Sequence, residues 1–336
     1  MLRKHYKLLL KCALVVPFVY LLDYCGIPAH FLEIEFEKNF YYPLQNQSTN
    51  YNGTAPTTLK FLNIPAFSET NDPPRLTILV KSAIGNADRR DAIRRTWGYE
   101  SRFSDVHIRT AFLLGVSPNY ISAETTSPIA RATTEQNIAK EAKQHGDIVR
   151  AEFVDAYFNN TIKTMMGLRW ASEHFSNSDF YMFVDDDYYV SIKNVLRFLG
   201  RVRRLGHQHD LLYAGYVFQS APLRHKFSKW YVSLQEYPFD KWPPYVTAGA
   251  FILSHDALLR MYEVGRSVPL FRFDDIYIGI IALKANIPLH HCNDFHFHRP
   301  HYTGPESYSS VIAAHGFDFP DEMERVWNEC RSANYA

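Results

Sequence analysis

An apolar run that ends in three carboxylates constrains this chain more than any other stretch. Phe180-Tyr-Met-Phe-Val184 has the length and character of a buried strand, and Asp185, Asp186 and Asp187 follow it directly. Three adjacent carboxylates repel one another, and burying them without a partner is costly, so something positive should face them. In open α/β sheets ligands bind in the crevice beyond the carboxyl ends of the strands, which is where this cluster falls. Carboxylate oxygens are the ligands that Mg2+ and Mn2+ favour. The sharper reading is a divalent-cation site at the mouth of a cleft. The plainer one is a solvated acidic turn that caps the next helix.

The surrounding pattern places that strand in a larger frame. Residues 76–80, 111–114 and 148–153 read as further strands, and residues 88–97, 134–145 and 161–175 as helices. Ser191 caps another helix, with Ile192, Val195, Leu196, Leu199 and Val202 on one face. Repeated strand–helix alternation predicts an α/β fold with a mostly parallel, Rossmann-like central sheet. No repeat or change of composition follows residue 75, so residues 75–336 are expected to form one body. With 46% hydrophobic residues in 336, a sizeable core is available. A net charge of +1 gives no argument for nucleic acid.

The N-terminus has a different character. Residues 1–7 are basic, residues 8–22 are apolar, and no small-x-small cleavage pattern follows Leu22. An uncleaved signal anchor over 8–22 is expected, with 1–7 cytosolic and the remainder lumenal; a cleaved signal peptide is the alternative. Residues 23–74 lack sustained periodicity and read as a stem. Asn46, Asn52 and Asn159 each begin a glycosylation sequon, two of them in that stem, which supports a lumenal location. Of the four cysteines, Cys292 and Cys330 lie in the body, where pairing and two free thiols are both open.

Four other segments carry chemical content. Arg90, Arg94 and Trp97 follow the first strand, where a helix start can receive a phosphate and Arg suits bidentate contact; a solvated basic face is the plainer account. Lys163 sits at a helix entry and can neutralise a phosphate or hold a carboxylate. Trp242, Tyr245 and Gly249 lie in a Pro-Pro segment that suits a rigid wall for a flat ligand, or simply a turn. Asp274 and Asp275 form a carboxylate pair in an apolar setting, suited to a tuned general base and also to a helix start. Near the end, residues 289–301 are dense in histidine without a familiar zinc spacing.

In this order, these motifs resemble the Golgi β-1,3-glycosyltransferase family, which contains galactosyl- and N-acetylglucosaminyltransferases. The matching pieces are Arg90-Asp-Ala-Ile-Arg94-Arg-Thr-Trp97, Asp155 to Thr164, Phe183-Val-Asp-Asp-Asp187, Trp242-Pro-Pro-Tyr245 with Gly249, and Asp274-Asp275-Ile-Tyr-Ile-Gly279. The resemblance implies a GT-A-type fold, inversion at the anomeric carbon, a UDP-sugar donor and a Golgi location as a single-pass type II membrane protein. It implies Asp187 as the principal ligand of Mn2+ (or Mg2+), with Asp185 and His291 as further metal ligands and Asp185 and Asp186 beside the donor. It implies Asp275 as general base, supported by Asp274. Within the family the likeness is greatest to an insect member. That likeness extends to Phe227-Ser-Lys-Trp-Tyr-Val-Ser and to the last ten residues. It implies transfer of N-acetylglucosamine from UDP-GlcNAc to the mannose of mannosyl-β-1,4-glucosylceramide, a glycolipid acceptor. UDP-galactose is the alternative donor, and a lumenal binding module without catalysis is the alternative of another class.

Overall fold

The computed structural model describes residues 15–42, 58–65, 67, 73–117, 128–204 and 211–336. The expected cytosolic tail, the first half of the expected anchor, and Asn46 and Asn52 lie outside the described residues. The chain divides into two compact units, residues 1–50 with 219–244 and residues 51–218 with 245–336.

The larger unit is built on an eight-stranded sheet. Its strands are β1 (Phe61–Asn63), β2 (Leu76–Lys81), β3 (Ile108–Val116), β4 (Ile148–Val154), β5 (Phe180–Asp185), β7 (Tyr213–Phe218), β8 (Tyr245–Ser254) and β9 (Leu289–His291), in the order β1-β4-β3-β2-β5-β8-β7-β9. The centre, β4-β3-β2-β5, is parallel throughout, and β8 then runs antiparallel to β5 and β7. Every residue of β2 is buried, as expected of a strand covered on both faces. A second, three-stranded sheet joins β6 (Tyr188–Val190), β10 (Phe295–His296) and β11 (Ala313–His315) in the order β10-β11-β6. The expected α/β fold with a mostly parallel sheet is what forms.

Two features of the packing position the site. The parallel register of β2 and β5 sets Lys81 beside Asp185 at their carboxyl ends. The helices Asn160–His174, His255–Gly265 and Asp274–Lys284 pack on one another. Gly167 in the first of these lies so close to the sheet that a Cβ there would sit 2.7 Å from Leu113 Cδ1 and from Phe183 Cε1.

The smaller unit folds around one buried guanidinium. Arg224 donates to Glu33 Oε1 at 2.7 Å, Val232 O at 3.0 Å and Phe239 O at 2.8 Å. Ile34 bridges to Phe239, whose ring meets those of Phe36, Phe40, Tyr41 and Tyr237. Residues 23–42, which lack periodicity in the sequence, are thus ordered by a segment two hundred positions away. Residues 15–24 are helical. No helix among the described residues is long and apolar enough to cross a membrane. Cys25, Cys292 and Cys330 are free thiols.

Gly167→Ala is expected to lower the melting temperature of the protein. Overpacking of roughly 1–3 kcal/mol exceeds the gain of about 1 kcal/mol that alanine has over glycine within a helix. A thermal unfolding scan that shows stabilisation would mean that the helix is free to move off the sheet.

Candidate active site

The site grows from the ends of β2 and β5. Lys81, the last residue of β2, has a side chain only 2% exposed. Its Nζ lies 2.8 Å from Asp185 Oδ1, 3.2 Å from Asp274 Oδ2 and 2.8 Å from the Ala248 carbonyl. Burial disfavours its charge, but Asp185 and Asp274 more than restore it, so its pKa stands above the ordinary lysine value. Burial pushes the Asp185 carboxyl up to about 7 against the pull of Lys81, with Asp187 and Asp274 adding to the rise.

The three carboxylates divide their tasks by direction. Asp186 turns back onto the loop after β2, where it accepts from Ser82 Oγ at 2.7 Å, Asn86 Nδ2 at 2.9 Å and Arg89 Nη1 at 3.0 Å. Asp187 begins the turn into β6, whose antiparallel register with β11 sets Tyr188 opposite His315. His315 Nε2 therefore reaches Asp187 Oδ2 at 3.2 Å. Burial opposes the charge on Asp187, but His315 and Arg89 outweigh it and hold its pKa below the ordinary carboxylate value. Asp187 Oδ1 is buried and has no hydrogen-bond partner.

That orphaned oxygen tests the metal expectation. A buried, ionised carboxylate oxygen without a donor is a ligand position for a hard cation. Among the described residues no group of three or more His, Cys, Asp and Glu side chains converges to cage an ion. Asp187 and His315 would supply two protein ligands, a set that fits only a cation completing its shell with water and phosphate oxygens. His291 does not stand there as expected. The pairing of β9 with β7 directs it to the sheet edge, where its Nδ1 accepts from Val217 N at 3.1 Å and its Nε2 lies 2.8 Å from Asn293 Oδ1. The histidine beside Asp187 is His315.

Asp274 and Asp275 open the helix Asp274–Lys284, where the N-terminal dipole favours acids. Asp274 is held by Lys81 and lies 3.5 Å from Thr164 Oγ1. Asp275 accepts from Ile276 N at 2.8 Å. Burial, and then the neighbouring Asp274 charge, raise the Asp275 pKa well above the carboxylate range. The pair thus opens a helix and also carries, at Asp275, a carboxyl raised by burial.

Other predicted residues have structural partners. Arg90 is buried, with Nε and Nη2 on Glu141 at 2.8 and 2.7 Å and Nη1 on Ala83 O at 2.6 Å. Arg94 binds Asp147, Asp91 and Glu141 at 2.7–2.8 Å and lies over the Phe112 ring. Trp97 is buried and donates to Tyr188 O at 3.2 Å, beneath the acidic turn. Lys163 joins Ser82 O at 2.5 Å to Asp155 Oδ1 at 2.6 Å, and Asp155 also accepts from Gly115 N. These cations brace the loops that form the site. The expected wall is divided: Trp242 lies in the smaller unit against Tyr237, whereas Tyr245 and Gly249 lie on β8 of the larger unit. A Cβ on Gly249 would overlap the Tyr188 hydroxyl, so this glycine permits the close approach of β8 to the residue after Asp187. Asn159 is half-buried, and its amide donates to Val154 O at 2.7 Å.

Sequence reasoning missed Lys81 and His315, and read Arg89 only as part of a basic segment suited to phosphate. Lys81 had a local signal, a cation ending an otherwise apolar strand. His315 had none, because its partner is 128 residues away.

A parallel α/β sheet with carboxylates at its carboxyl end, and a second acid pair on an adjoining helix start, is the frame of a GT-A-type glycosyltransferase. The chain belongs to the galactosyltransferase family, whose model matches residues 88–293. The "Beta-1,3-galactosyltransferase brn" of Drosophila melanogaster is 60% identical over 339 residues, 99% of each chain. The mouse "Beta-1,3-galactosyltransferase 5" is 31% identical over 274 residues, 80% of this chain and 82% of that one. Among solved structures, a glycosyltransferase involved in glycosylation of the major capsid of PBCV-1 aligns at TM-score 0.38 with 13% identity, covering 76% of this chain and 99% of its own. The protein is a β-1,3-glycosyltransferase of the Brainiac type.

Lys81→Met is expected to cost roughly 3 kcal/mol, the low end for breaking a buried ion pair, because Asp185 remains a third exposed. Asp185 and Asp274 then face each other uncompensated, and the folded state binds protons more readily than the unfolded. The deficit should therefore shrink as pH falls through the raised pKa of Asp185. Denaturant titrations at pH 8 and pH 5.5 measure this, and a pH-independent deficit would remove the electrostatic account.

Proposed function

We propose that the protein is an inverting β-1,3-N-acetylglucosaminyltransferase that uses UDP-GlcNAc. Its acceptor is the 3-hydroxyl of the mannose in mannosyl-β-1,4-glucosylceramide. Its setting is the Golgi lumen, with residues 8–22 as a type II signal anchor and residues 75–336 carrying catalysis. The observation that carries the chemistry is the pairing of an ionised carboxylate with an orphaned oxygen, Asp187, and a second carboxylate raised by burial, Asp275. A binding module needs no base, which opposes the non-catalytic reading.

Asp275 accepts the proton of the acceptor hydroxyl while that oxygen bonds to the anomeric carbon. The bond from that carbon to the diphosphate breaks on the opposite face, and UDP departs with the electron pair, so the configuration inverts. Mn2+ or Mg2+ held by Asp187 and His315, when bound, offsets charge on the diphosphate. Lys81 holds Asp185 and Asp274 in place and offsets the negative charge of these two carboxylates toward the donor. The low-dielectric surroundings strengthen each of these terms.

The relatives' names favour a second donor, UDP-galactose. The two donors share the UDP group and the displacement chemistry, so one assay decides. The full chain is supplied with Mn2+, a mannosyl-β-1,4-glucose glycoside and each donor separately. Transfer from UDP-GlcNAc alone, abolished by chelation, is expected; transfer from UDP-galactose alone would replace the donor and keep the mechanism.

The base assignment has its own test. Asp275→Asn should leave UDP binding intact and reduce turnover by several orders of magnitude, and near-normal turnover would remove Asp275 as base. Because Asp275 must be ionised to act, the rate should fall as pH drops through its raised pKa. Asp274→Asn removes the neighbouring charge that raises it, so the acidic limb of the pH–rate profile should move to lower pH. A shift the other way would contradict the assignment.

A further inference from the structure

The smaller unit carries an apolar surface that its own folding leaves uncovered. The helix of residues 15–24 exposes Val16, Phe18 and Tyr20, and a loop of residues 223–231 is bound to its far end. The Lys226 amide donates to Tyr24 O at 2.9 Å, Lys226 Nζ pairs with Asp23 at 2.5 Å, and the Phe227 ring lies 5.8 Å from that of Tyr24. Gly26, in the left-handed region at φ 77°, packs on Arg224 so closely that a Cβ would overlap the Arg224 backbone. Buried Arg224 anchors the base of the loop to Glu33. The loop is therefore fixed to the end of the helix.

The outward face of this loop has a particular chemistry. Phe227 is 62% exposed and Trp230 is 47% exposed, and Lys229 Nζ lies 4.4 Å over the Trp230 ring. Exposed aromatics beside ammonium groups, at the end of an apolar helix, are the composition of a membrane–water boundary. There the rings sit at headgroup level and lysines reach the phosphates. The Lys226–Asp23 ion pair and the Tyr24–Phe227 ring contact fix these exposed aromatics at the end of the apolar helix, so a bilayer that the helix enters has its headgroup level at this loop.

We infer that residues 223–231 lie in the headgroup boundary of the bilayer that the N-terminal apolar segment enters. Phe227 and Trp230 rest at the acyl edge and Lys229 at the lipid phosphates. The inference rests on the anchored reading given above and adds a second, monotopic contact to it.

The full chain is reconstituted into phosphatidylcholine vesicles whose acyl chains are brominated either near the headgroup or near the bilayer centre, and tryptophan emission is recorded. Trp97, Trp170, Trp242 and Trp327 are buried, so Trp230 is the indole open to lipid. Shallow bromine is expected to quench more than deep bromine, and Trp230→Phe is expected to lose most of that quenching. Phe227→Asp should weaken it while leaving flotation with the vesicles unchanged. A chain that floats with the vesicles but shows no Trp230-dependent quenching overturns the inference and leaves the anchor standing. Trp230 shielded from aqueous acrylamide yet unquenched by lipid bromine indicates a second copy or another protein there, and also overturns it. A chain that does not float overturns the anchor and the inference together.

Discussion

The contact between Lys81 and its two carboxylates is what the rest of the site depends on. One ammonium group, set by strand register at the end of β2, touches Asp185 at the end of β5, Asp274 at the start of a helix, and the carbonyl of Ala248 in β8. Four segments distant in sequence are thereby referred to one point. A lysine in this position stays charged only because the carboxylates outweigh its burial, and the carboxylates stay close to one another only because of the lysine. With Asp186 taken by Ser82, Asn86 and Arg89, the arrangement leaves Asp187 and Asp275 as the remaining acids not held by Lys81. Asp187 retains a buried oxygen without a donor, and Asp275 is pressed toward the neutral form by its burial and by Asp274.

Around this centre the protein uses buried cations as braces. Arg90 and Arg94 share Glu141, and Arg94 continues to Asp147, which ties the helix Ala87–Arg95 to the helix Pro128–His145 and the turn before β4. Lys163 and Asp155 join the loop after β2 and the loop after β4 to the end of β3. Removing one partner from such a buried pair costs far more than the pair contributes as a whole, so these loops are held by interactions that fail abruptly rather than gradually.

The fold was legible where local pattern decides structure. Phe180–Val184, the parallel centre of the sheet and the helix capped by Ser191 follow from apolar periodicity and turn chemistry, and the acidic triplet announced that cations would face it. Lys81 and Arg89 are those cations. What the sequence could not show is register: the pairing of β6 with β11 brings His315 to Asp187, and that of β9 with β7 takes His291 away. The family resemblance pointed to His291, but a motif match says nothing about which strand pairing carries a histidine to Asp187. Likewise Arg90 and Arg94 looked available for phosphate, since the acids that occupy them, Glu141 and Asp147, lie about fifty residues on.

The composition of the smaller unit also sets an order of events in synthesis. Glu33 and Arg224 are 191 positions apart, and the whole fold of β2 to β7 is made between them. At roughly 5–20 residues per second, the N-terminal half of this unit waits about 10–40 s for its other half. During that interval Ile34, Phe36 and Phe40 have no Phe239 to cover them. The smaller unit can therefore form only after most of the chain has been translated. A truncated chain ending before residue 219 would present those side chains permanently, which gives quality-control factors a direct mark of an incomplete molecule.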